Sequence, residues 1–158
     1  MRGPKIPRLM IFTDNYPPYD RGGAGRMAYY HAKGLCDRGW KVGVVCNQEP
    51  GRKISGVAEE EGITVYRLFQ MHPFSKQLDP LPIDKAFQLS ATFFNPFMRP
   101  VLKHVIKDFA PDLLHAHQIS RISYGAFTKL ETNLPRFLTF HTYHFECPKG
   151  GLFRKKSK

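Results

Sequence analysis

The chain has 158 residues, of which 42% are hydrophobic, and this is enough for one domain with its own core. Its 24 Lys and Arg outnumber 13 Asp and Glu, and the resulting net charge of +11 favours anionic partners such as nucleic acid, acidic lipid or phosphorylated substrates. Three scattered cysteines argue against a disulfide framework, and the sequence has neither a signal peptide nor an apolar run of the roughly 18 residues that cross a bilayer, so we expect a cytoplasmic protein.

The first part of the chain has the pattern of a βαβ unit. Residues 9–12 are continuously apolar, as in a strand buried on both faces, and a loop rich in Pro, Gly, Asn and Asp follows. Apolar residues then recur at helical spacing up to Leu35, and residues 41–46 form a second apolar strand. A helix that begins where a parallel strand ends directs its free N–H groups into the ligand crevice, so Gly22 and Gly23 predict a phosphate or sugar cradle. The alternative is that these glycines only form the turn.

A dinucleotide site is a minor alternative for the same region. Gly23, Gly25 and Ala28 match the G-x-G-x-x-A spacing of dinucleotide-binding proteins, and Glu49 lies roughly where an acidic ribose partner would be. That fingerprint starts almost directly after its strand, whereas here the nine residues 14–22 intervene. A loop of this length would displace the cradle, so we do not favour a dinucleotide.

Strands and helices alternate through the rest of the chain. Residues 48–62 are polar, with an acidic run at 59–61, and residues 71–82, with three prolines, predict a connector. The predicted elements are, in order, a strand at 63–69, two helices within 83–109 separated at Asn95 and Pro96 or one helix sharply kinked there, a strand at 112–115, a helix at 119–131 capped by Ser120, and a strand at 136–140. This alternation predicts an α/β fold, a Rossmann-like doubly wound parallel sheet in one domain over residues 1–158.

The helical region is rich in phenylalanine beside basic residues. Core packing is the favoured explanation of its aromatic side chains. A face that contacts a membrane surface or a lipid-linked substrate is the alternative. The residues concerned are Phe87, Phe93, Phe94, Phe97, Arg99, Lys103 and Lys107.

Polar residues follow three of the predicted strands. Asp14 and the glycine loop come after the first strand, and His115 and His117 come after the fourth. Residues His141 to Tyr143 follow the fifth strand. Carboxyl ends of parallel strands share one edge, where such sheets bind ligands. His115 and His117 are two residues apart and face the same way in extended chain. We therefore predict a site at this edge.

Zinc is the competing explanation of the histidines. His115, His117, His141, His144 and Cys147 offer enough nitrogen and sulfur donors. No carboxylate is placed beside the His-x-His pair, however, and a helical His-Glu-x-x-His motif is absent. We therefore expect no metal.

Four segments, in order, resemble the amino-terminal, acceptor-side domain of GT-B glycosyltransferases of family 4. They are RLMIFTDNYPPYDRGGAGRMAYYHAKGLCDRGWKVGVVC, PDLLHAH, FLTFH and ECPKGGLF, and they extend over nearly the whole chain. The order and spacing of the four segments together carry the resemblance.

The resemblance implies transfer of a sugar, of the hexosyl type, from a nucleotide-diphosphate sugar to an acceptor hydroxyl with retention. His117 matches the histidine that contacts the transferred sugar, and we assign it positioning and charge stabilisation. Gly22 and Gly23 would let backbone amides approach the donor diphosphate or the acceptor. His141 matches the histidine after the fifth strand, although Thr142 stands where the family often has aspartate. Asp14, His115, His141 and Tyr143 complete the expected binding residues, with the nucleotide sugar as substrate and no separate cofactor.

The family also has a second, carboxy-terminal domain that supplies most donor contacts. We expect this chain to be half of an enzyme, inactive until that domain is present in cis or in trans. The expected acceptor is of unknown structure, with a lipid-linked or phosphorylated compound and a location at the inner face of the membrane as options. The alternative is a non-catalytic module for an anionic partner, acidic lipid or nucleic acid, although the chain has no motif for specific nucleic acid.

Overall fold

The computed structural model describes residues 5–19, 22–48, 56–68 and 90–141. These residues contain six strands: β1 (Arg8–Thr13), β2 (Lys41–Asn47), β3 (Gly56–Glu60), β4 (Ile63–Leu68), β5 (Leu113–Ala116) and β6 (Arg136–Leu138). The helices described over their whole length are α1 (Gly23–Cys36), α2 (Met98–Phe109) and α3 (Tyr124–Thr128). No helix in the described part of the chain is long and apolar enough to span a membrane.

All six strands join one sheet in the order β3-β4-β2-β1-β5-β6. Five strands run parallel, and only the edge strand β3 is antiparallel to its neighbour β4. The predicted Rossmann-like α/β fold is therefore confirmed, with one antiparallel strand added. The strand order reverses between β1 and β5, and the crevice outside the carboxyl ends of these strands is where open α/β sheets bind ligands.

The central strand β1 is buried on both faces of the sheet. Leu9 and Ile11 belong to the apolar cluster beneath α1, whereas Met10 and Phe12 belong to the cluster beneath α2 and α3. All four side chains are at most 1% exposed. Burial of one such side chain stabilises the folded state by about 1.5–3 kcal/mol. A short continuous apolar run thus organises both layers of the domain.

The edge of the sheet contains a strand, β3, that was not predicted within the polar residues 48–62. Strand β3 pairs with β4 in a hairpin whose two turn residues, Glu61 and Gly62, have φ values of 52° and 78°. Two successive left-handed residues are typical of a type I′ turn. Most of β3 is exposed, so its side chains need not be apolar. Its sequence therefore lacks the alternation of apolar and polar residues that would predict a strand.

The helix predicted at 119–131 is also shorter than expected. Residues 120–122 form a turn, and α3 begins at Tyr124. Ser123 caps it by accepting a hydrogen bond of 3.3 Å from the Ala126 N–H. The predicted cap, Ser120, instead donates its hydroxyl proton to Asp14 across the sheet edge. A long-range contact therefore displaced the local helix start.

Three phenylalanines before α2 are exposed, so core packing was the wrong explanation for them. Phe93, Phe94 and Phe97 are 49%, 62% and 67% exposed. The interruption of the helix predicted at Asn95 is present, and there the Asn95 side chain accepts a hydrogen bond from the Phe97 N–H. Residues 83–89, including Phe87, lie outside the described residues. The buried stripe of α2 consists of Met98, Leu102, Val105 and Phe109.

Glycines in α1 differ in the space around them, and this predicts opposite effects on stability. A Cβ at Gly25 would lie 2.6 Å from the Asn15 carbonyl oxygen, whereas one at Gly34 would meet only the flexible Arg38 side chain at 3.3 Å. We expect Gly25→Ala to lower the free energy of unfolding by about 1–3 kcal/mol through overpacking. Gly34→Ala should raise it by about 0.5–1 kcal/mol through helix propensity. Urea unfolding of both variants measures this, and equal stabilisation by the two would contradict the packing at Asn15.

Candidate functional site

A buried carboxylate joins the ends of β1 and β5. Asp14, directly after β1, is 3% exposed and accepts hydrogen bonds from the Ser120 hydroxyl at 2.6 Å and the backbone N–H of Arg121 at 2.9 Å. The N–H of Ile122 and the amide of Asn47 donate to the same carboxylate at 3.1 Å and 3.3 Å. Burial raises the pKa of Asp14, while the hydrogen bond from Ser120 acts in the opposite direction. Because every one of these neighbours donates, the arrangement suits the ionised carboxylate.

Asp14 was predicted to contact a ligand, and the structure places it below the surface of the crevice. Its oxygens are occupied by donors of the protein, and its backbone N–H donates to the Gln118 carbonyl at 2.7 Å. Asn15 continues this connection, since its side chain accepts a hydrogen bond from Arg121. In this structure Asp14 therefore acts on the site by positioning residues 118–122.

The amino terminus of α1 opens onto the same edge of the sheet. Gly22 precedes the helix with a φ of 112°, which favours glycine, and it supplies no side chain to cap the first turn. A Cβ at Gly22 or Gly23 would have no atom of the described residues within 4 Å. The first turn of α1 contains no acidic residue. The two glycines therefore leave open space in front of a helix end that attracts anions.

Four histidines, one from α1 and three from the ends of β5 and β6, lie close together at this edge of the sheet. His115 and His117 come from the end of β5, His141 follows β6, and His31 lies on α1. The predicted common orientation of His115 and His117 is confirmed, because their rings stack with centroids 4.7 Å apart. The ring of His117 also stacks on that of His141, at 5.1 Å. The residues that follow β5 and β6, two of the three predicted strand ends, therefore contact each other through His117 and His141.

The His117 ring contacts a histidine through each of its nitrogens. Its Nδ1 lies 2.8 Å from the Nε2 of His141, and its Nε2 lies 3.3 Å from the Nδ1 of His31. His115 is held separately, with its Nε2 2.8 Å from the Thr139 hydroxyl oxygen. His117 is 5% exposed, so the ring that contacts both His31 and His141 is buried.

The environment of His31, His115 and His117 lowers the pKa of each ring and so favours its neutral form. Burial, aided by the neighbouring His115, His141 and His31, lowers the pKa of His117 to about 3. Burial also lowers the pKa of His31, and burial together with His31 and His141 lowers that of His115. At neutral pH these rings therefore donate and accept hydrogen bonds without carrying charge.

Two residues of this edge were missed by sequence reasoning. They are His31 on α1 and Asn47 at the end of β2, neither of which was predicted as a site residue. His31 could have been found from the sequence, because it is a histidine on the apolar stripe of the helix that borders the predicted crevice. Asn47 is 9% exposed, and its side-chain oxygen has no hydrogen-bond partner among the described residues. Predicted site residue Tyr143, like His144 and Cys147, lies outside the described residues.

The lowered pKa of His117 predicts a loss of stability in acid. Between pH 7 and pH 5 the unfolded chain, in which histidine has a pKa near 6.5, binds a proton that folded His117 does not. The free energy of unfolding should therefore fall by about 1–2 kcal/mol over this range. Denaturant unfolding at both pH values in metal-free buffer measures it. His117→Gln should show a smaller fall and exposed His104→Gln the same fall as the parent chain; an unchanged fall in His117→Gln would contradict the assignment.

Comparisons with known proteins agree with this fold. Among solved structures, the chain is similar to sucrose-phosphate synthase from Thermosynechococcus elongatus, with a TM-score of 0.59 and 16% sequence identity. The similarity extends over 85% of this chain but only 33% of the synthase, and at this identity it concerns the fold alone. No curated protein matches the sequence significantly. The family model of Glycosyltransferase Family 4 matches residues 21–157, so the chain belongs to glycosyltransferase family 4.

Proposed function

We propose that the chain is the acceptor-side domain of a retaining glycosyltransferase that uses a nucleotide-diphosphate sugar. The observation that carries the proposal is that α1 has an open amino terminus, at Gly22 and Gly23, and also contacts the buried His117 through His31. Family membership supports sugar transfer in general. Retention at the anomeric carbon and a hexosyl donor are the finer parts of the proposal.

The helix start is suited to the negatively charged part of the substrate. Backbone N–H groups at the beginning of α1 carry a partial positive charge, and neither glycine blocks access to them. The diphosphate of the donor or a phosphorylated acceptor would be bound here. The net charge of +11 adds a long-range attraction for either compound.

His117 is suited to orienting a sugar hydroxyl. A neutral imidazole has one donor and one acceptor nitrogen, so it can fix a hydroxyl in one direction. Of its two ring contacts, His141 is exposed, and a sugar hydroxyl would replace it at the Nδ1 of His117. The lowered pKa of His117 supports this positioning role over stabilisation of negative charge by a cationic ring. Asp14 would support it from below through residues 118–122.

A second domain is part of this proposal. The chain corresponds to 33% of the length of sucrose-phosphate synthase. We propose that a carboxy-terminal domain, in cis or in trans, supplies most donor contacts and that this chain alone binds donor weakly. The cytoplasm, where nucleotide sugars are available, would be its location.

The site can be tested by ligand-observed magnetic resonance with nucleoside diphosphates and nucleotide sugars. We expect weak binding that Gly23→Val and His117→Ala each weaken at least roughly tenfold, which corresponds to about 1.4 kcal/mol. Val at position 23 would fill the space in front of the helix, and because no atom of the described residues lies within 4 Å of its Cβ, we expect the fold to stay intact. Gly34→Val on the same helix and His104→Ala on α2 are the matched controls.

Two outcomes would contradict the proposal. Appreciable sugar transfer by this chain alone would show that no second domain is needed. Absence of donor binding, together with binding to nucleic acid that falls steeply with salt, would favour the alternative of a non-catalytic module for an anionic partner.

A membrane-borne acceptor is favoured by the exposed phenylalanines before α2. Phe94 and Phe97 are more than half exposed, and the Lys129 ammonium lies 5.7 Å from the centre of the Phe94 ring. Apolar rings beside a cation are typical of surfaces that bind anionic lipid. The double variant Phe94→Ser, Phe97→Ser should weaken binding to anionic vesicles, measured by sedimentation, at least roughly tenfold. Each ring that enters the membrane would contribute about 1.5–3 kcal/mol to binding.

The control for this experiment is Val57→Ser, which removes a side chain that is 60% exposed on the opposite edge strand β3. It should leave vesicle binding unchanged. Equal binding to neutral and anionic vesicles, or equal losses in the two variants, would remove the membrane from the proposal.

A further inference from the structure

We propose that His31, His115 and His117 form a binding site for a divalent transition-metal ion of the zinc class. One ring nitrogen from each residue lies within 4.8 Å of those of the other two. Neutral imidazole is the commonest protein ligand for such ions. The inference does not rest on the proposed glycosyltransferase function, because the probe that tests it is the metal ion alone.

The spacing of the rings agrees with tetrahedral coordination. Zinc–nitrogen bonds of about 2.0–2.1 Å place neighbouring ligand atoms of a tetrahedron about 3.4 Å apart. The Nδ1 of His31 and the Nε2 of His117 are 3.3 Å apart. The rings of His31 and His115 meet edge to face with centroids 4.9 Å apart. Small rotations of the His115 ring would bring all three nitrogens to one ion.

Two of the three rings also have partners at the nitrogen that would face away from the ion. The Nδ1 of His117 lies 2.8 Å from His141, and the Nε2 of His115 lies 2.8 Å from the Thr139 hydroxyl. Histidines that bind metals almost always hold their second nitrogen in this way, which fixes ring orientation and tautomer. In His115 the contact with Thr139 leaves Nδ1 available for the ion. The cluster thus has ligands and outer partners together.

This site differs from the zinc alternative considered from the sequence. That alternative combined His115 and His117 with residues after β6, whereas the third ligand here comes from α1. The carboxyl end of β5 and the inner face of α1 supply the site, and both belong to regular secondary structure. Three protein ligands leave at least one coordination position for water or an added group.

The site would share His117 with the proposed sugar contact. The ion would bind the Nε2 of His117, whereas the sugar hydroxyl would replace His141 at its Nδ1. Metal binding and sugar binding would therefore use opposite nitrogens of one ring.

The test is titration of the untagged 158-residue chain with Zn²⁺, followed by calorimetry, and with Co²⁺, followed by visible absorption. We expect one ion per chain and the intense absorption bands of tetrahedral Co²⁺. His31→Leu should weaken binding at least roughly 100-fold, beyond the range for loss of an outer partner. Thr139→Val, which removes such a partner, should weaken binding by roughly 10-fold. His104→Leu, an exposed histidine on α2, should leave it unchanged.

A second set of variants protects the test from misfolding. Leucine suits the half-buried stripe of α1, His31→Gln preserves polarity, and circular dichroism of both should match the parent chain. Both folded variants must lose the ion if the proposal holds. No binding by the parent chain, or binding that survives both His31 variants and disappears in Cys147→Ser, would overturn it. Either result is independent of the donor titration, whose ligands contain no metal.

Discussion

The site depends on one buried interaction, the carboxylate of Asp14 at the reversal point of the sheet. A carboxylate that is 3% exposed is costly unless donors surround it, and here the donors come from residues 120–122 beyond β5. The same contact ends the turn, so that α3 begins only after Ser123. Backbone hydrogen bonds from Asp14 to Gln118 and from His117 to Phe12 complete the connection. One side chain thus sets the geometry of two neighbouring strand ends.

The histidine cluster follows from the faces of the elements that carry it. Side chains alternate along β5, so Leu114 and Ala116 enter the core on the α2 side while His115 and His117 point toward α1. Burial of several imidazoles together disfavours positive charge on each of them. Lowered pKa values keep the rings of His31, His115 and His117 neutral, and both proposed uses, orienting a hydroxyl and binding a metal ion, would involve His117.

Much of the fold was predictable because its central elements are locally consistent. The apolar run of β1, the stripe of α1 and the valines of β2 each indicate the structure they form. The prediction failed where solvent or long-range contacts outweigh local pattern. Strand β3 is exposed at the edge and carries no alternation, the helix after β5 starts late because Asp14 binds residues 120–122, and Phe93, Phe94 and Phe97 lie on the surface.

The sequence by itself determined the alternation of strands and helices, the family, and the chain positions at which polar residues follow strands. These properties depend on local spacing, which can be read along the chain. Tertiary structure alone decided that Asp14 lies beneath the crevice, that Gly25 is needed for packing and Gly23 is not, and that His31 joins the histidines of β5. Such relations arise between residues distant in sequence, because they depend on which faces of α1 and β5 meet across the sheet.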